Sequence, residues 1–191
     1  MPPLDGWEHL SRYEAYVRVR ARRLALNPRL KVRFGASDLV QETFLRALGA
    51  ETPCEGESPR ARMAYLDRIF DRVFADHLRT HHAEKRDIDR EQEVRQALNE
   101  STAAYRLDPA DGAASPSEQA ARREEYLRAM EAIEGLPERE RDVIILVHLE
   151  QCSLKEAGER LGITKGKAAG LYGRGMTRLR GQLDPGAGAQ P

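Results

Sequence analysis

The chain has 191 residues, 32% of them charged and 6% aromatic, with 31 basic and 31 acidic side chains. This length suits one ordinary domain or two small ones, and no alternation of β-branched and aromatic residues indicates strands. Cys54 and Cys152 stand far apart without histidines at metal spacing, which excludes a disulfide framework and a zinc site. The chain also lacks a signal-type apolar run or any stretch near about 18 apolar residues. We therefore expect an all-α, soluble, cytoplasmic protein with free thiols.

Charge is unevenly distributed along the chain. From Arg12 to Arg33 there are eight basic residues and one acid, and from Arg160 to Leu183 there are six basic residues and no acid. Between Glu91 and Gly135 acids outnumber bases. Clustered positive charge is what phosphate binding requires, so the pattern predicts two basic faces around an acidic middle. Solvated helix surfaces are the alternative.

Three helices are predicted in the first half of the chain. The first runs from about Trp7 to Asn27-Pro28 with an apolar stripe at Leu10, Tyr13, Val17, Ala21 and Leu24. The second starts near Ser37, a candidate N-cap, and its stripe is Leu39, Val40, Phe44, Leu45 and Leu48. After an exposed acidic loop at 49–58, Ser58-Pro59 opens the third helix, with stripe residues Ala61, Tyr65, Leu66, Ile69, Val73 and Leu78. These helices predict a small domain over 7–86, followed by a flexible linker over 87–114.

The second half predicts a further small domain over 115–183 and a disordered tail over 184–191. Ser115 to Glu118 is a capping box, its helix stops at Gly135, and a new helix begins at Pro137. A second capping box, Ser153 to Glu156, opens a short helix. The turn Gly162-Ile163-Thr164 follows, with a turn residue, a buried aliphatic and an N-cap. This order is typical of a helix-turn-helix.

The helix after that turn has an apolar and a basic side. Ala168, Leu171, Met176 and Leu179 are predicted to pack inward, which leaves Lys165, Lys167, Arg174 and Arg178 on the solvent side. A basic exposed face favours entry into the major groove of DNA, because phosphates attract and base edges discriminate. An ordinary helical hairpin is the alternative. Four glycines between 166 and 175 weaken the helix, which must be held by its packing or by DNA.

Two segments resemble a known family. Asp38 to Ala47, Asp-Leu-Val-Gln-Glu-Thr-Phe-Leu-Arg-Ala, resembles the segment by which sigma-70 factors bind the clamp helices of RNA polymerase. Leu136 to Val143 and Ser153 to Gly162 resemble the core of their C-terminal domain. The two-domain layout is similar to the extracytoplasmic-function group, and residues 87–93 with Thr164-Lys165-Gly166 resemble its planctomycete-type branch.

The resemblance implies a factor that binds core RNA polymerase, recognises promoter −10 and −35 elements and initiates transcription. Its region 2 would span 7–86 and its helix-turn-helix region 4 would span 115–183. By position, the residues implied for polymerase binding are Asp38, Gln41, Glu42 and Arg46. Those implied for the −10 element are Arg72, Asp76, Arg79, His82, Lys85 and Arg86. Those implied for the −35 element are Lys165, Lys167, Ala169, Gly170, Arg174 and Arg178.

The expected partners are core RNA polymerase and promoter DNA, with an anti-sigma factor as a further candidate and no membrane. Tyr65 and Arg72 depart from the family pattern, where tryptophan and asparagine are typical. No catalytic grouping, cofactor motif or metal cluster stands at workable spacing, so we expect no enzyme activity. A free-standing helix-turn-helix regulator and a helical protein-binding adaptor are the alternatives.

Overall fold

The computed structural model describes residues 9–28, 35–49, 58–82 and 115–183, except the side chains at 78 and 80–82. Every element in these ranges is helical, which confirms the all-α class. In chain order the elements are α1 (Glu14–Ala25), α2 (Ala36–Gly49), α3 (Pro59–His82), α4 (Pro116–Glu134), α5 (Glu138–Ile144), a π-helical segment (Ile145–Leu149), α6 (Leu154–Arg160) and α7 (Lys165–Leu183). The predicted linker, the predicted tail, Cys54 and most of the acidic loop lie outside the described residues.

The chain divides into two compact units, Met1–Glu124 and Glu125–Pro191, which we call unit 1 and unit 2. In unit 1, α2 packs against both α1 and α3. In unit 2, α5 and α6 both pack against α7. The domain limits predicted from sequence, 7–86 and 115–183, remain predictions. None of the described helices is long and apolar enough to cross a membrane.

Helix α1 is buried on more than the predicted stripe. All five predicted core positions are buried, and so are Tyr16, Val19, Arg20 and Arg23. The basic run that begins at Arg12 is therefore not one exposed basic face, because two of its arginines lie inside the unit. The predicted helical tract is also interrupted, because residues 9–11 are helical and a turn at Arg12-Tyr13 separates them from α1. The N–H of Tyr13 bonds the carbonyl of Leu10 at 2.9 Å, a turn that precedes Glu14.

Helix α2 corrects two expectations. It begins at Ala36, so Ser37 is not its N-cap, and Asp38 instead reaches back to accept the N–H of Gly35 at 3.3 Å. Leu39, Val40 and Phe44 are buried as predicted, whereas Leu45 is 70% exposed. Adjacent helical positions point about 100° apart, so burying Phe44 turns Leu45 outward.

Helix α3 begins as its sequence predicts, since the N–H of Ala61 donates to the hydroxyl oxygen of Ser58 at 3.2 Å. Its buried side differs in part from the predicted stripe. Leu66 and Val73 are buried, together with Met63, Phe70 and Phe74, which were not predicted. Ala61, Tyr65 and Ile69 are only half-buried, because the core lies against the adjacent side of the helix.

Local signals set the helix ends from α4 to α7. Ser115 and Ser153 each form the predicted capping box with the glutamate three residues later. Thr164 caps α7 by accepting the N–H of Lys167 at 3.2 Å. Between α5 and α6 the chain passes through the π-helical segment and then Gln151, which has φ 55°. The sequence predicted neither feature.

The turn between α6 and α7 depends on two glycines. Gly162 has φ +64°, a conformation that favours glycine. At Gly158 an added Cβ would stand 2.9 Å from the carbonyl oxygen of Ile163, so only glycine lets α6 approach the turn this closely. Ile163 itself is half-buried, not buried as predicted, because the turn lies at the edge of the unit.

Candidate functional site

Helix α7 carries all six residues predicted for the −35 element. Lys165, Lys167, Arg174 and Arg178 are exposed, Gly170 is exposed, and Ala169 is half-buried. Ala168, Leu171 and Leu179 lie on the opposite, buried side with Gly175. The inward and outward sides of this helix were thus predicted correctly, apart from Met176, which is half-buried.

Two arginines of α7, Arg174 and Arg178, share a carboxylate that sequence reasoning missed. Glu140 on α5 accepts from Nε of Arg174 at 3.2 Å and from Nε of Arg178 at 3.1 Å. Its side chain is only 7% exposed, although glutamate is normally a surface residue. The available signal was spacing: Glu140 precedes Val143 and Ile144 by three and four residues, which places it on their apolar side.

The residues predicted for polymerase binding lie along one side of α2. Asp38, Gln41 and Arg46 are exposed and Glu42 is half-buried. The exposed Leu45 stands among them. This side of the helix therefore presents both polar groups and one large apolar side chain to solvent.

An ion-pair network joins this side of α2 to α3. Arg46 donates from Nη2 to Glu42 and from Nη1 to Asp76, each at 2.6 Å. Asp76 also pairs with Arg79 at 3.1 Å, and Glu42 is bonded to His77 at 2.5 Å. The network thus links residues predicted for polymerase binding with residues predicted for the −10 element. His77 was not predicted, because the register between α2 and α3 cannot be read from local spacing.

Both carboxylates of this network have lowered pKa values. The hydrogen bond from His77 is the main cause of the lowered pKa of Glu42, with Arg46 adding to it. The hydrogen bond from Arg46 is the main cause of the lowered pKa of Asp76. Both groups are accordingly ionised at neutral pH, and the network is held by opposite charges.

The remaining −10 candidates are only partly described. Arg72 and Arg79 are exposed on α3. The side chain of His82 is not described, and Lys85 and Arg86 lie outside the described residues. The hydroxyl of half-buried Tyr65 donates to the carbonyl of Ala47 at 3.1 Å, so this ring links α3 to α2. Among the described residues no group of three or more histidine, cysteine or acidic side chains is placed to hold a metal.

Comparison with known proteins first finds a similarity in the C-terminal part of the chain. The family model Sigma-70, region 4 matches residues 132–181. The RNA polymerase sigma factor FliA of Yersinia enterocolitica is 40% identical over 57 residues, which are 30% of this chain and 25% of that protein. The match thus spans about a quarter of the flagellar relatives' length.

A second relative extends the similarity to most of the chain. The ferric citrate uptake sigma factor FecI of Escherichia coli K12 is 30% identical over 139 residues, which are 73% of this chain and 70% of that protein. A solved flagellar sigma/anti-sigma complex, Sigma-28/FlgM, aligns over 94% of this chain and 96% of that chain at 19% identity. Its TM-score of 0.40 is too low to support a conclusion about fold or partner. By its similarity to the ferric citrate uptake factor, this chain belongs to the sigma-70 family of RNA polymerase sigma factors, in the extracytoplasmic-function group.

Proposed function

We propose that this protein binds core RNA polymerase, recognises promoter −10 and −35 elements and initiates transcription. The observation that carries the proposal is the 139-residue similarity to a sigma factor, which covers 70% of that relative. The predicted anti-sigma partner and the planctomycete-type branch stay predictions.

The exposed side of α2 supports a polymerase contact. Leu45 is 70% exposed between the polar positions Gln41 and Arg46. Burial of this large apolar side chain against a partner surface would be favourable. Protein interfaces commonly surround such an apolar anchor with a polar rim. Asp38, Gln41, Glu42 and Arg46 would form that rim around Leu45.

The exposed basic residues of α3 support a contact with the −10 element. Arg72 and Arg79 are both exposed on this helix. Asp76 is paired with Arg46 and Arg79, so its negative charge is balanced before DNA approaches. In this proposal Arg72 and Arg79 bind the DNA backbone, and Asp76 orients Arg79.

The basic side of α7 supports a contact with the −35 element. Lys165 and Lys167 stand in the first turn, where a helix that enters the major groove meets DNA. Arg174 can make a bidentate hydrogen bond to guanine, which contributes about 1–3 kcal/mol of discrimination. Gly170 and Ala169 add little bulk, so the helix backbone can come close to the bases.

A two-part assay tests the proposal. The full chain is mixed with core RNA polymerase, and binding and run-off transcription are measured for the wild type and three variants. Gln41→Ala should weaken polymerase binding and transcription together. Arg174→Ala should retain polymerase binding but lower promoter binding about tenfold, the size of one lost base contact. Arg128→Ala, an exposed residue of α4 outside both sites, is the control and should match the wild type.

The alternatives give different results in the same assay. No binding of the wild type to core polymerase would overturn the proposal. Specific binding to duplex DNA without polymerase binding would instead identify a free-standing regulator. A chain that binds neither would leave the protein-binding adaptor.

A further inference from the structure

The carboxylate of Glu140 holds two arginines in a fixed orientation. It lies against α7 between Arg174 and Arg178, which are four residues apart and so share one side of that helix. Each arginine donates its Nε–H to a different oxygen of the carboxylate, at 3.2 and 3.1 Å. The glutamate is buried, whereas the arginine side chains remain 60% and 57% exposed. The buried group therefore fixes the base of each guanidinium and leaves its outer part in solvent.

Gly175 makes this close approach possible. It is buried between the two arginines, and an added Cβ would stand 3.1 Å from Cγ1 of Ile144 and 3.5 Å from Cβ of Glu140. A side chain at 175 would therefore crowd the side chains of Ile144 and Glu140 on α5. The glycine that weakens the helix in isolation lets the carboxylate reach both Nε atoms.

The Nε bonds decide which atoms the arginines present. Neither guanidinium makes a further hydrogen bond to another described residue, and both side chains are more than half exposed, which leaves the Nη groups available to a partner. Nη1 of Arg174 lies 3.6 Å from the position that a Cβ at Gly170 would take, above the exposed side of α7. A guanidinium is always planar, so a bond at Nε fixes the orientation of the plane in which its two Nη groups can bond bidentately.

We propose that Glu140 is a positioning residue that sets the DNA specificity of α7 by orienting Arg174 and Arg178. This inference rests on the proposed function, since it assigns a role within the −35 contact. Burial of the carboxylate strengthens its two charge-assisted bonds and restricts the rotamers of both arginines before DNA arrives. Less side-chain freedom is then lost on binding, and only duplexes that match the fixed orientation gain the full contact.

Loss of Glu140 should affect specific and non-specific DNA binding differently. Attraction to phosphates depends on the number of cations, which remains the same whether or not the arginines are oriented. Recognition of a base edge depends on guanidinium geometry. Loss of Glu140 should therefore lower affinity for the preferred duplex and leave affinity for random duplexes nearly unchanged.

The test measures a ratio of affinities. Duplexes are selected on the full-length wild-type chain from a randomised duplex library, and binding to the selected pool and the unselected library is compared at fixed salt. Glu140→Gln should lower the ratio about tenfold, as expected for a misaligned bidentate contact. Glu138→Gln makes the same charge change at an exposed position of α5 and should leave the ratio unchanged.

A second variant keeps the test informative where Glu140→Gln folds poorly. Arg174→Lys retains the charge and Glu140 but lacks the Nε donor and the planar fork. It should lower the ratio by a similar factor, and the double variant should be no worse than either single one.

The outcomes distinguish the inference from the proposed function. If the wild type enriches no sequence, alone or with core polymerase, the proposed −35 contact fails and the inference fails with it. If the wild type enriches a sequence and Arg174→Lys lowers the ratio but Glu140→Gln does not, only the role of Glu140 is overturned. If neither variant lowers the ratio, the contact of Arg174 with the −35 element is overturned as well. A uniform rise in affinity of Glu140→Gln for all duplexes would also overturn it, because the glutamate would then act only through its charge.

Discussion

The two units bury charge in opposite senses. In unit 1 the buried charged groups are the cations Arg20 and Arg23. Arg20 is 1% exposed, and its guanidinium bonds the partly exposed Asp67 at 2.5 Å and Asp71 at 2.6 Å. It also lies 4.4 Å from the centre of the Phe70 ring. In unit 2 the buried charged groups are the anions Glu140 and Asp142, and the two arginines that pair with Glu140 are more than half exposed.

The difference determines which charge reaches the surface. A buried charge must be paired and hydrogen-bonded, so each arrangement requires partners of the opposite sign at the edge of the core. In unit 1 these partners are carboxylates, which repel phosphate, and Arg20 therefore serves to join α1 to α3. In unit 2 the partners are guanidiniums, which attract phosphate. The same chemistry holds helices together in one unit and presents cations in the other.

The largest expected effect comes from removing Arg20, the most deeply buried cation of unit 1. Arg20→Met leaves Asp67 and Asp71 without their buried partner, which should cost about 3 kcal/mol of unfolding free energy. Arg18→Met on the same helix removes an exposed pair with Glu14 and should cost less than about 0.5 kcal/mol. Urea denaturation gives the stabilities, and hydrogen exchange of peptides from each unit locates the loss.

Equal losses of unfolding free energy for Arg20→Met and Arg18→Met would contradict the special role of the buried pair. The comparison between the units also fails if hydrogen exchange rises mainly in α5 to α7, because Arg20 would then not act within unit 1.

In unit 2 the helices approach closely where a glycine lacks a side chain. The second prediction concerns two of these glycine-containing helices. Gly158→Ala places a methyl group 2.9 Å from the backbone oxygen of Ile163, so α6 and the turn must separate. We expect a loss of about 1–3 kcal/mol, as for other overpacked sites. Gly173→Ala on α7 meets no atom within 4 Å and should stabilise the helix by about 0.5–1 kcal/mol.

Thermal unfolding of the two glycine variants checks this prediction, because their effects should have opposite signs. Destabilisation by both would mean that α7 requires glycine at 173 for a reason other than packing.

Most helix caps were predictable from sequence, Ser37 being the exception, whereas the π-helical segment and the contacts that span helices were not. The caps at Ser58, Ser115, Ser153 and Thr164 depend on residues within one turn, and all four were predicted correctly. Arg20 and Glu140 were missed, because their burial depends on partners 34 to 51 residues away. Composition suggests that such charged side chains are exposed.

The candidate site shows the same division. The polar and basic sides of α2 and α7 follow from helical periodicity, and their exposure agrees with it apart from Leu45. The bonds from Arg46 to Asp76 and from Glu42 to His77 depend on the register between α2 and α3, which no local pattern encodes. Periodicity therefore predicts which side chains are presented but not which of them are linked.

The smallest expected effect concerns Glu156, an exposed carboxylate that caps α6. The side chain of Glu156 accepts hydrogen bonds from the hydroxyl and the backbone N–H of Ser153, and these bonds lower its pKa, the hydroxyl bond contributing most. A lowered folded-state pKa means that this stabilisation is present above the unfolded value of 4.5 and is lost as pH falls through the folded value.

Glu156→Gln should therefore be less stable than the wild type near neutral pH, and the difference should shrink as the solution is acidified below pH 4.5. Urea denaturation of both proteins at several pH values measures that difference. Glu159→Gln, an exposed residue of the same helix, is the control and should show a smaller dependence on pH. A difference that stays constant through the acid range would show that the cap depends on hydrogen-bond geometry alone and not on the charge of Glu156. Unlike Arg20 and Glu140, Glu156 would then stabilise unit 2 through hydrogen bonds alone and not through its charge.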